Sequence, residues 1–347
     1  MNPQIIRRRC LLIFASCILF LLAFALSGCH DLQTGGTAGT TELASSYDVT
    51  DAQGTVVTLP AKPHRILTLS MSTDEIVLGL VKPDHMVAVN SLLDDPVSSN
   101  VVPLAKQVTG RVTNPSVEEI AAMKPDLVIV PDWGDITRVA SLRDLGIPVI
   151  VCKGAKNLAE IQETIRLIAQ AVGEPERGES LVRQMDTKLA AIEEKTKQIP
   201  ESDRKTVVLI SLMSTYGGAG SSFDEACQRA GVINGRAQAG IRDGQTMSKA
   251  QLVAINPDVL FLPKYNDHGS YDIASFRAEY LDDPSLQTIK AIQAGRLEEP
   301  DEAYIYNCSQ DFVFGVQEIA YRVYGDAFQQ GAGEHLSAVD DGEKEKE

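Results

Sequence analysis

Aromatic and polar side chains follow six of the predicted strands, and they are the residues best suited to hold a ligand. The only tryptophan and four of the nine tyrosines fall in these segments, although aromatic residues make up only 5% of the chain. Aromatic rings that line a cleft offer flat apolar area with polar tips, which suits a large, partly apolar ligand. The segments are Ser70-Met71-Ser72, Asn90-Ser91, Asp132-Trp133-Gly134, Met213-Ser214-Thr215-Tyr216, Lys264-Tyr265-Asn266 and Ala303-Tyr304-Ile305-Tyr306.

From these segments we predict a set of ligand-binding residues, to which one further cation, Arg111, is added. A tyrosine after a strand is also compatible with a half-buried core residue whose hydroxyl is satisfied, and Arg111 with a surface ion pair. Trp133 carries the strongest signal, because a large ring in a tight turn has few core neighbours. The predicted ligand contacts are Trp133, Tyr216, Tyr265, Tyr304, Tyr306, Met71, Ser72, Arg111 and Lys264.

No motif of covalent chemistry accompanies these residues. The sequence contains no Gly-x-Ser-x-Gly elbow, no Walker loop and no His-Glu-x-x-His pair. The four histidines that follow His30 include no pair spaced four residues apart, so a histidine metal site is not indicated. We therefore predict no catalytic residue, no metal site, no intrinsic cofactor and no enzymatic activity.

The cysteines leave one enzymatic alternative open. Cys152, Cys227 and Cys308 have no metal-binding spacing, which favours buried free thiols. A metal chelatase or metallocluster enzyme on the same scaffold would need convergent histidines or cysteines from both lobes, for which Cys152 and Cys308 are candidates. Fold alone does not decide between binding and catalysis.

A segment that occurs twice indicates how these residues are positioned. Residues 116–131 read Ser-Val-Glu-Glu-Ile-Ala-Ala-Met-Lys-Pro-Asp-Leu-Val-Ile-Val-Pro, and residues 248–263 repeat the pattern. Each copy predicts a helix that ends at a Pro-Asp turn, followed by a continuous apolar strand typical of a parallel sheet. We therefore predict an α/β fold of two similar doubly wound lobes, joined by one long rigid helix, with the ligand cleft between the lobes.

The boundaries of these parts follow from composition and periodicity. A long amphipathic helix is predicted from about Glu176 to Gln198, without internal glycine or proline after Gly178. A helix is also predicted from Ser285 to Ala294. The predicted parts are a signal peptide (1–28), a flexible tether (29–46), an N-terminal lobe (47–173), a connecting helix (174–200), a C-terminal lobe (201–328) and a disordered acidic tail (329–347).

The N-terminus indicates the compartment. Arg7-Arg8-Arg9, an apolar run and Leu26-Ser27-Gly28-Cys29 form the pattern of a bacterial lipoprotein signal, in which Cys29 becomes acylated. An uncleaved anchor helix is the alternative, and both interpretations place the remainder of the chain outside the cytoplasm. The net charge of −15 makes nucleic acid and anionic lipid poor partners.

At this point the sequence resembles the substrate-binding proteins of ABC importers for cobalamin, ferric siderophores and haem. The resemblance runs from about Tyr47 to Phe328. It rests on the order and spacing of several motifs: Tyr47-Asp-Val-Thr-Asp51, Pro63-His-Arg65-Ile-Leu-Thr-Leu-Ser70, Ser116-Val-Glu118, Leu142-Arg-Asp-Leu-Gly-Ile-Pro-Val149, Ala230-Gly-Val-Ile-Asn234 and Asn256-Pro-Asp258.

The resemblance implies a permease that contacts one acidic residue on each lobe. Glu118 matches the first acid, although a glutamate at a helix N-terminus is also explained by the helix dipole. The corresponding position of the second lobe is Ala250, where the family pattern usually has glutamate. Either docking depends on Glu118 alone, or a nearby acid such as Glu225 substitutes.

These observations predict a lipid-anchored binding protein that captures a metal chelate and delivers it to an ABC permease with its ATPase. A corrinoid is favoured over a ferric siderophore, because anionic siderophores favour clustered arginine and lysine. Haem stays open, since a phenolate of Tyr216 or Tyr265 would ligate iron. The protein is expected to be a monomer. A tethered sensor that binds without transport is the second alternative.

Overall fold

Residues 46–265 and 271–339 are described by a computed structural model. The predicted signal peptide, Cys29 with the tether up to residue 45, and residues 340–347 of the predicted tail lie outside the described residues. Within the described ranges, no helix combines the length and the apolar character that crossing a bilayer requires.

The first half of the chain forms a five-stranded parallel sheet, preceded by a small antiparallel hairpin. The sheet order is β5-β4-β3-β6-β7, and every neighbouring pair is parallel. The inner strand β6, which lies between β3 and β7, is buried along its whole length, as its continuous apolar sequence predicts. The strands are β1 (Tyr47–Thr50), β2 (Val56–Leu59), β3 (Ile66–Thr68), β4 (Met86–Asn90), β5 (Gly110–Val112), β6 (Leu127–Pro131) and β7 (Val149–Cys152).

The second half forms a four-stranded parallel sheet in the order β11-β10-β8-β9. Its strands are β8 (Thr206–Leu209), β9 (Ile233–Asn234), β10 (Val259–Phe261) and β11 (Leu297–Glu298). We call the first sheet with its helices the N-terminal lobe and the second sheet with its helices the C-terminal lobe. The doubly wound α/β architecture agrees with the predicted fold class.

Helices alternate with the strands in both halves. Both copies of the repeated segment begin with a capping box, formed by Ser116 with Glu119 and by Ser248 with Gln251. The helices are α1 (Met71–Leu78), α2 (Val102–Ala105), α3 (Val117–Ala122), α4 (Thr137–Asp144), α5 (Leu158–Ala171), α6 (Pro175–Thr196), α7 (Ser222–Arg229), α8 (Gly235–Gln238), α9 (Lys249–Ile255), α10 (Ile273–Leu281), α11 (Lys290–Gln293), α12 (Glu302–Ile305) and α13 (Phe312–Tyr324).

The long helix α6 connects the two sheets in sequence and packs into a core that both lobes share. Its buried stripe includes Leu181, Met185 and Leu189. Gly178 allows a close approach to α5, because a Cβ at this position would collide with the Cβ of Ala169. One apolar cluster contains residues of α6, of both sheets and of α13, so the lobes are not separated by a solvent-filled hinge.

The predicted helix from Ser285 to Ala294 is wrong. A 3₁₀ turn (Pro284–Leu286) and the short helix α11 take its place, because Ile289 adopts an extended conformation between them. Asp283 caps the 3₁₀ turn by accepting a hydrogen bond from the Ser285 N–H at 2.8 Å. The longer helix of this region, α10, lies before the turn and was not predicted.

The predicted disordered tail is also contradicted for residues 329–339. Leu336 and Ala338 pack against the shared core. The Leu336 N–H donates to Asp311 Oδ1 at 2.8 Å, and the Ala338 N–H donates to the Gly79 carbonyl at 2.9 Å. Two apolar side chains and satisfied backbone groups therefore fix a segment whose composition alone reads as disordered.

Candidate functional site

Three adjoining cavities lie among the loops that follow the strands of both lobes. Their volumes are about 480, 300 and 580 Å³. The first and second share Ser72, the first and third share Tyr265, and the second and third share Trp133. We call this continuous region the cleft. Its position at the carboxyl ends of parallel strands is where open α/β sheets bind ligands.

Trp133 forms an exposed aromatic surface in the cleft. Its side chain is 70% exposed, although it lines two of the three cavities. The indole rests against the backbone of Gly154, where an added Cβ would collide with the ring. Asp132 Oδ1 accepts a hydrogen bond from the Gly154 N–H at 2.8 Å and fixes this contact. Gly154 therefore provides the flat support on which the ring lies.

Tyr216 and Tyr306 form an aromatic pair with ring centroids 5.2 Å apart. The Tyr306 hydroxyl donates to Ser211 Oγ at 2.8 Å, and the Tyr216 hydroxyl lies 2.9 Å from Ser222 Oγ. Burial raises the pKa of both phenols above their usual range. Both side chains are therefore neutral hydroxyls at physiological pH, which disfavours a Tyr216 phenolate as a haem ligand.

Met71, Ser72 and Tyr265 also line the cleft, as the sequence predicts. Met213 and Tyr271 line the same cavity but were not among the predicted contacts. Met213 is 52% exposed and lies four residues after β8, in the same strand-end segment as Tyr216, so its position in that segment is the signal that would have selected it. Tyr271 precedes α10, the helix that the sequence did not predict.

The buried guanidinium of Arg236 holds the loop that carries Met213 and Tyr216. It donates to the carbonyl oxygens of Tyr216 at 2.7 Å, Ser214 at 3.2 Å and Gln245 at 2.6 Å. Arg236 is only 2% exposed. No sequence motif marks this residue, because its role depends on contacts between loops that are distant from it along the chain.

Tyr304 does not belong to the cleft. Its side chain is only 2% exposed, and its hydroxyl donates to the Glu334 carbonyl at 3.2 Å. Its ring packs against Phe314 with centroids 5.7 Å apart. The prediction that Tyr304 contacts a ligand is therefore contradicted. Tyr304 is a core residue whose hydroxyl is satisfied within the protein.

Arg111 and Lys264 line none of the three cavities. Arg111 forms a two-pronged ion pair with Asp94 at 2.7 and 2.9 Å and donates to the Ala105 and Val108 carbonyls. The prediction that Arg111 contacts a ligand is therefore not supported, and Arg111 instead forms a surface ion pair. At Lys264 it is the backbone N–H that is engaged, donating to the Glu302 carboxylate.

Glu75 supplies a buried carboxyl group to the cleft wall. It lines the 480 Å³ cavity, and Asn307 Nδ2 donates to its Oε2 at 2.8 Å. Burial, followed by the negative charge of Asp311, raises the pKa of Glu75 to about 8. The carboxyl is therefore mainly protonated at pH 7 and offers an O–H donor rather than a negative charge.

The neighbouring Asp74 has a structural role. Its carboxyl is bonded to the Thr68 hydroxyl and accepts from the Asn90 N–H at 2.9 Å. Burial raises the pKa of Asp74 well above its usual value. These hydrogen bonds join α1, which carries Ser72, to the last residues of β3 and β4, Thr68 and Asn90.

The cations that line the cleft are already paired. Among the described lining residues these are Lys153, Lys156 and Arg138. Lys153 pairs with Glu160 at 2.6 Å, and Lys156 pairs with Asp243 of the other lobe at 3.2 Å. Arg138 donates to the Pro115 carbonyl at 2.8 Å and pairs with Asp135. The described part of the cleft lining thus lacks the cationic cluster that a polyanionic chelate favours.

Cys152 and Cys308 both line the 300 Å³ cavity and are free thiols. Burial raises the pKa of Cys152 to about 12 and also raises that of Cys308. Metal ligation requires thiolate, so both are poor donors. Within the described ranges, no group of three histidine, cysteine or acidic residues is arranged to hold a metal ion. The donor set gives the metallocluster alternative no support.

Of the two candidate docking acids, Glu118 and Glu225, Glu118 is the one whose carboxylate is accessible to a partner. It is exposed on α3, and it makes no hydrogen bond or ion pair within the described part of the chain. Ala250 is exposed on the equivalent helix α9. Glu225 is engaged internally, because it pairs with Arg229 at 2.8 Å and accepts from the Leu158 N–H at 2.8 Å. Its suggested role as a substitute docking acid is therefore not favoured.

Comparisons with known proteins agree with this architecture. A family model described as periplasmic binding protein matches residues 66–304. The chain is 25% identical over 323 residues to the uncharacterized ABC transporter substrate-binding lipoprotein YvrC of Bacillus subtilis, covering 90% of this chain and 97% of that protein. It is 26% identical over 259 residues to a cobalamin-binding protein of Halobacterium salinarum, covering 71% of this chain and 68% of that protein.

A solved structure of a periplasmic binding protein is also similar to this chain. The periplasmic heme-binding protein RhuT from Roseiflexus sp. RS-1, in its apo form, matches with a TM-score of 0.64 and 26% identity. The match covers 77% of this chain and 99% of that one. The region matched by the family model includes both parallel sheets and the helix between them. The chain therefore belongs to the periplasmic binding protein family, whose ABC importer members its sequence resembles.

Proposed function

We propose that this protein is a lipid-anchored, extracytoplasmic binding protein that captures a corrinoid and delivers it to an ABC permease. The observation that carries the choice of ligand is the character of the cleft. Trp133, the Tyr216–Tyr306 pair, Met71 and Met213 supply apolar area, while the lining cations are paired. Proteins of this family are binding components of transporters, so the prediction of no enzymatic activity is confirmed.

The size of the cleft supports a ligand as large as a corrinoid. Cavities of about 480 and 580 Å³ meet at Tyr265, so one ligand can contact both. Corrinoid amide groups need hydrogen-bond donors and acceptors, which Ser72 and neutral Glu75 offer at one wall. The relative named a cobalamin-binding protein is consistent with this choice. For a haem, as in the name of the structural neighbour, one of the two candidate iron ligands, Tyr216, is disfavoured because it is a neutral phenol, and Tyr265 is the other.

Fluorescence of Trp133 tests the ligand directly. In a protein that lacks residues 1–29, cobalamin is expected to quench the single tryptophan saturably, whereas haemin and ferric siderophores quench it weakly. Quenching requires proximity of the chromophore to the indole, which lies on the cleft surface. Tight binding of haemin or a siderophore, without binding of cobalamin, would overturn the corrinoid assignment.

A matched control separates cleft binding from general quenching. Trp133→Phe removes the signal but keeps an aromatic ring, so calorimetric titration with cobalamin should show a loss of affinity no larger than about tenfold. Silence of the wild-type protein with every chelate in both methods would contradict the binding of a metal chelate as such.

We also propose that Glu118 contacts a basic residue of the permease. The exposed Glu118 carboxylate is available for such a pair, and a rim charge of this kind contributes mainly to association with a partner. Glu118→Ala is expected to leave cobalamin affinity unchanged and to lower uptake in a reconstituted transporter by about tenfold. Glu163→Ala, an exposed glutamate of α5, serves as the control.

The outcome of this uptake measurement also distinguishes the sensor alternative. If a cognate permease is neither bound nor stimulated by the wild-type protein, the tethered sensor that binds without transport is favoured. Acylation of Cys29 would hold the protein at the membrane, on the periplasmic face or the outer surface, and a monomer is sufficient for this function. The name of the Bacillus subtilis relative, a substrate-binding lipoprotein, supports this placement.

A further inference from the structure

The ordered C-terminal segment Glu334–Ala338 contacts both lobes and the helix that connects them. Its Glu334 carbonyl accepts from Asn100 Nδ2 of the N-terminal lobe at 2.8 Å and from the Tyr304 hydroxyl of the C-terminal lobe at 3.2 Å. Its Ser337 carbonyl accepts from Gln184 Nε2 of α6 at 3.2 Å. We call the segment Glu334–Ala338 the clasp, since it bonds to all three parts of the fold.

Asp311 is the point at which the clasp and the two lobes meet. Its carboxylate accepts from Asn100 Nδ2 at 2.7 Å and lies 2.6 Å from His335 Nδ1. It also accepts from the Leu336 N–H at 2.8 Å. The Asp311 side chain is fully buried, and only 9% of the His335 side chain is exposed. Three bonds to one buried carboxylate therefore fix three separate segments relative to one another.

A close backbone approach shows that the fold makes room for the clasp. The C-terminal end of α1 is Gly79, whose carbonyl accepts from the Ala338 N–H at 2.9 Å. A Cβ at this position would lie 2.6 Å from Gln310 Nε2 and 3.1 Å from the Leu336 carbonyl oxygen. Any larger residue at this position would push the clasp and Gln310 away from α1.

The same residues connect the clasp to the cleft wall. Gln310 Nε2 donates to the Glu75 carbonyl at 2.8 Å and to the Leu336 carbonyl at 3.3 Å. Asn307 bonds to the Glu75 carboxyl, and its Oδ1 accepts from the Ser309 N–H at 2.8 Å. Glu75 is thus held by the segment 307–311, whose last residue is Asp311.

We propose that the clasp sets the angle between the lobes, and that His335 and Asp311 are positioning residues that fix Glu75 at the cleft wall. The charge pattern agrees with this role. Despite the opposing effect of burial, the nearby Asp311 carboxylate raises the pKa of His335 above its usual value, so the pair is an ion pair over a wider pH range. The inference uses the proposed function only to say what the cleft binds.

The test uses ligand-free mature protein, so it succeeds or fails independently of the ligand assignment. Spin labels on non-natural side chains replace the exposed residues Glu163 of the N-terminal lobe and Lys290 of the C-terminal lobe. Pulsed dipolar spectroscopy then gives the distribution of distances between the lobes. We expect His335→Ala to roughly double the width of this distribution, because the lobes lose a shared buried bond.

Matched variants separate positioning from general destabilisation. Ser337→Ala changes the same segment but removes only a local bond to the Val339 N–H, so its distribution should match that of the unchanged protein. His335→Asn keeps a donor near Asp311 and should restore the narrow distribution. Leu336→Pro removes the N–H that bonds Asp311 and should broaden it as His335→Ala does.

Amide hydrogen exchange supplies a second measurement on the same variants. In His335→Ala the Ala338 amide, and those of residues 307–311, are expected to exchange roughly tenfold faster. The proposal is overturned if both His335→Ala and Leu336→Pro keep the narrow distribution. It is equally overturned if Ser337→Ala broadens the distribution as much as His335→Ala does.

Discussion

Arg236→Ala is expected to lower the free energy of unfolding by about 3–5 kcal/mol, the largest effect of any single substitution proposed for this protein. The variant leaves the carbonyl oxygens of Ser214, Tyr216 and Gln245 without their buried donor. Each carbonyl oxygen that loses this donor and gains no water in its place costs part of the hydration energy that it lost on folding. Chemical denaturation, followed by circular dichroism, measures the difference.

Two further variants test whether the loss of stability comes from the guanidinium of Arg236. Arg242→Ala removes an exposed side chain from the same region and should change the free energy of unfolding by no more than about 0.5 kcal/mol. Arg236→Lys keeps a positive charge but loses the planar fork, so an intermediate loss is expected. A loss below about 1 kcal/mol for Arg236→Ala would show that water replaces the guanidinium at these carbonyls.

Arg236→Ala should also weaken ligand binding. Arg236 fixes the loop that carries Met213 and Tyr216, and both side chains line the cleft. At denaturant-free conditions where the variant is folded, we therefore expect weaker cobalamin binding for Arg236→Ala and unchanged binding for Arg242→Ala. Ordering of the loop would then have to be supplied by the ligand, which lowers the observed affinity.

Glu75→Gln is expected to change how stability depends on pH. Burial raises the pKa of Glu75 from 4.5 to about 8, so the folded state keeps a proton that the unfolded state has released. Between these values the folded state binds more protons than the unfolded state, and stability falls as pH rises. The groups that face Glu75 are Asp311, His335, Asn307 and Ser309.

Glutamine imitates the neutral carboxyl but does not titrate. The stability of Glu75→Gln relative to the unchanged protein should therefore increase by up to about 1.4 kcal/mol per pH unit between pH 5.5 and 7.5. Denaturation curves at several pH values measure this increase. Asp74 and His335 also have raised pKa values, so the difference between the two proteins, not the slope of either, is the informative quantity.

Glu163→Gln serves as the control for this substitution, since Glu163 is an exposed residue of α5. Its stability should follow that of the unchanged protein at every pH. Parallel curves for Glu75→Gln and the unchanged protein would show that Glu75 is already ionised in the folded state, and that its O–H is not available to a ligand.

The sequence predicts the cleft residues that follow regular strands. Trp133 follows β6 and Tyr265 lies shortly after β10, and the carboxyl ends of parallel strands point to one edge of a sheet. Met71 and Ser72 were found by the same rule after β3. In these cases the local pattern and the topology together fix where a side chain lies.

The same rule fails for Tyr304, which lies in a four-residue helix after the strand. Tyr304 and Tyr306 lie in and after the short helix α12, where successive side chains are rotated by about 100° around the axis. Tyr304 consequently points into the core while Tyr306 reaches the cleft. The sequence assigns both to a strand end, because a four-residue helix leaves no periodic signal.

Contacts between distant segments explain the other errors. Arg111 turns to Asp94, seventeen positions earlier, rather than to a ligand. The clasp is ordered by Asp311 and Gly79, which lie far from it in sequence. Acidic and polar composition predicts disorder when a segment has no apolar surface to cover, and composition alone does not register the Leu336 and Ala338 contacts.

The two copies of the capping box differ in the residue that they expose. In each copy a serine and the third residue after it, Glu119 or Gln251, close the reciprocal hydrogen bonds. The residue directly before that partner, Glu118 or Ala250, takes no part in either pair of hydrogen bonds. The residues that cap the helix are therefore different from the residue that would contact a partner, and each can change without the other. The exposed residue of this helical turn can therefore differ without loss of the capping box. The two lobes of this chain show such a difference, with Glu118 in one and Ala250 in the other.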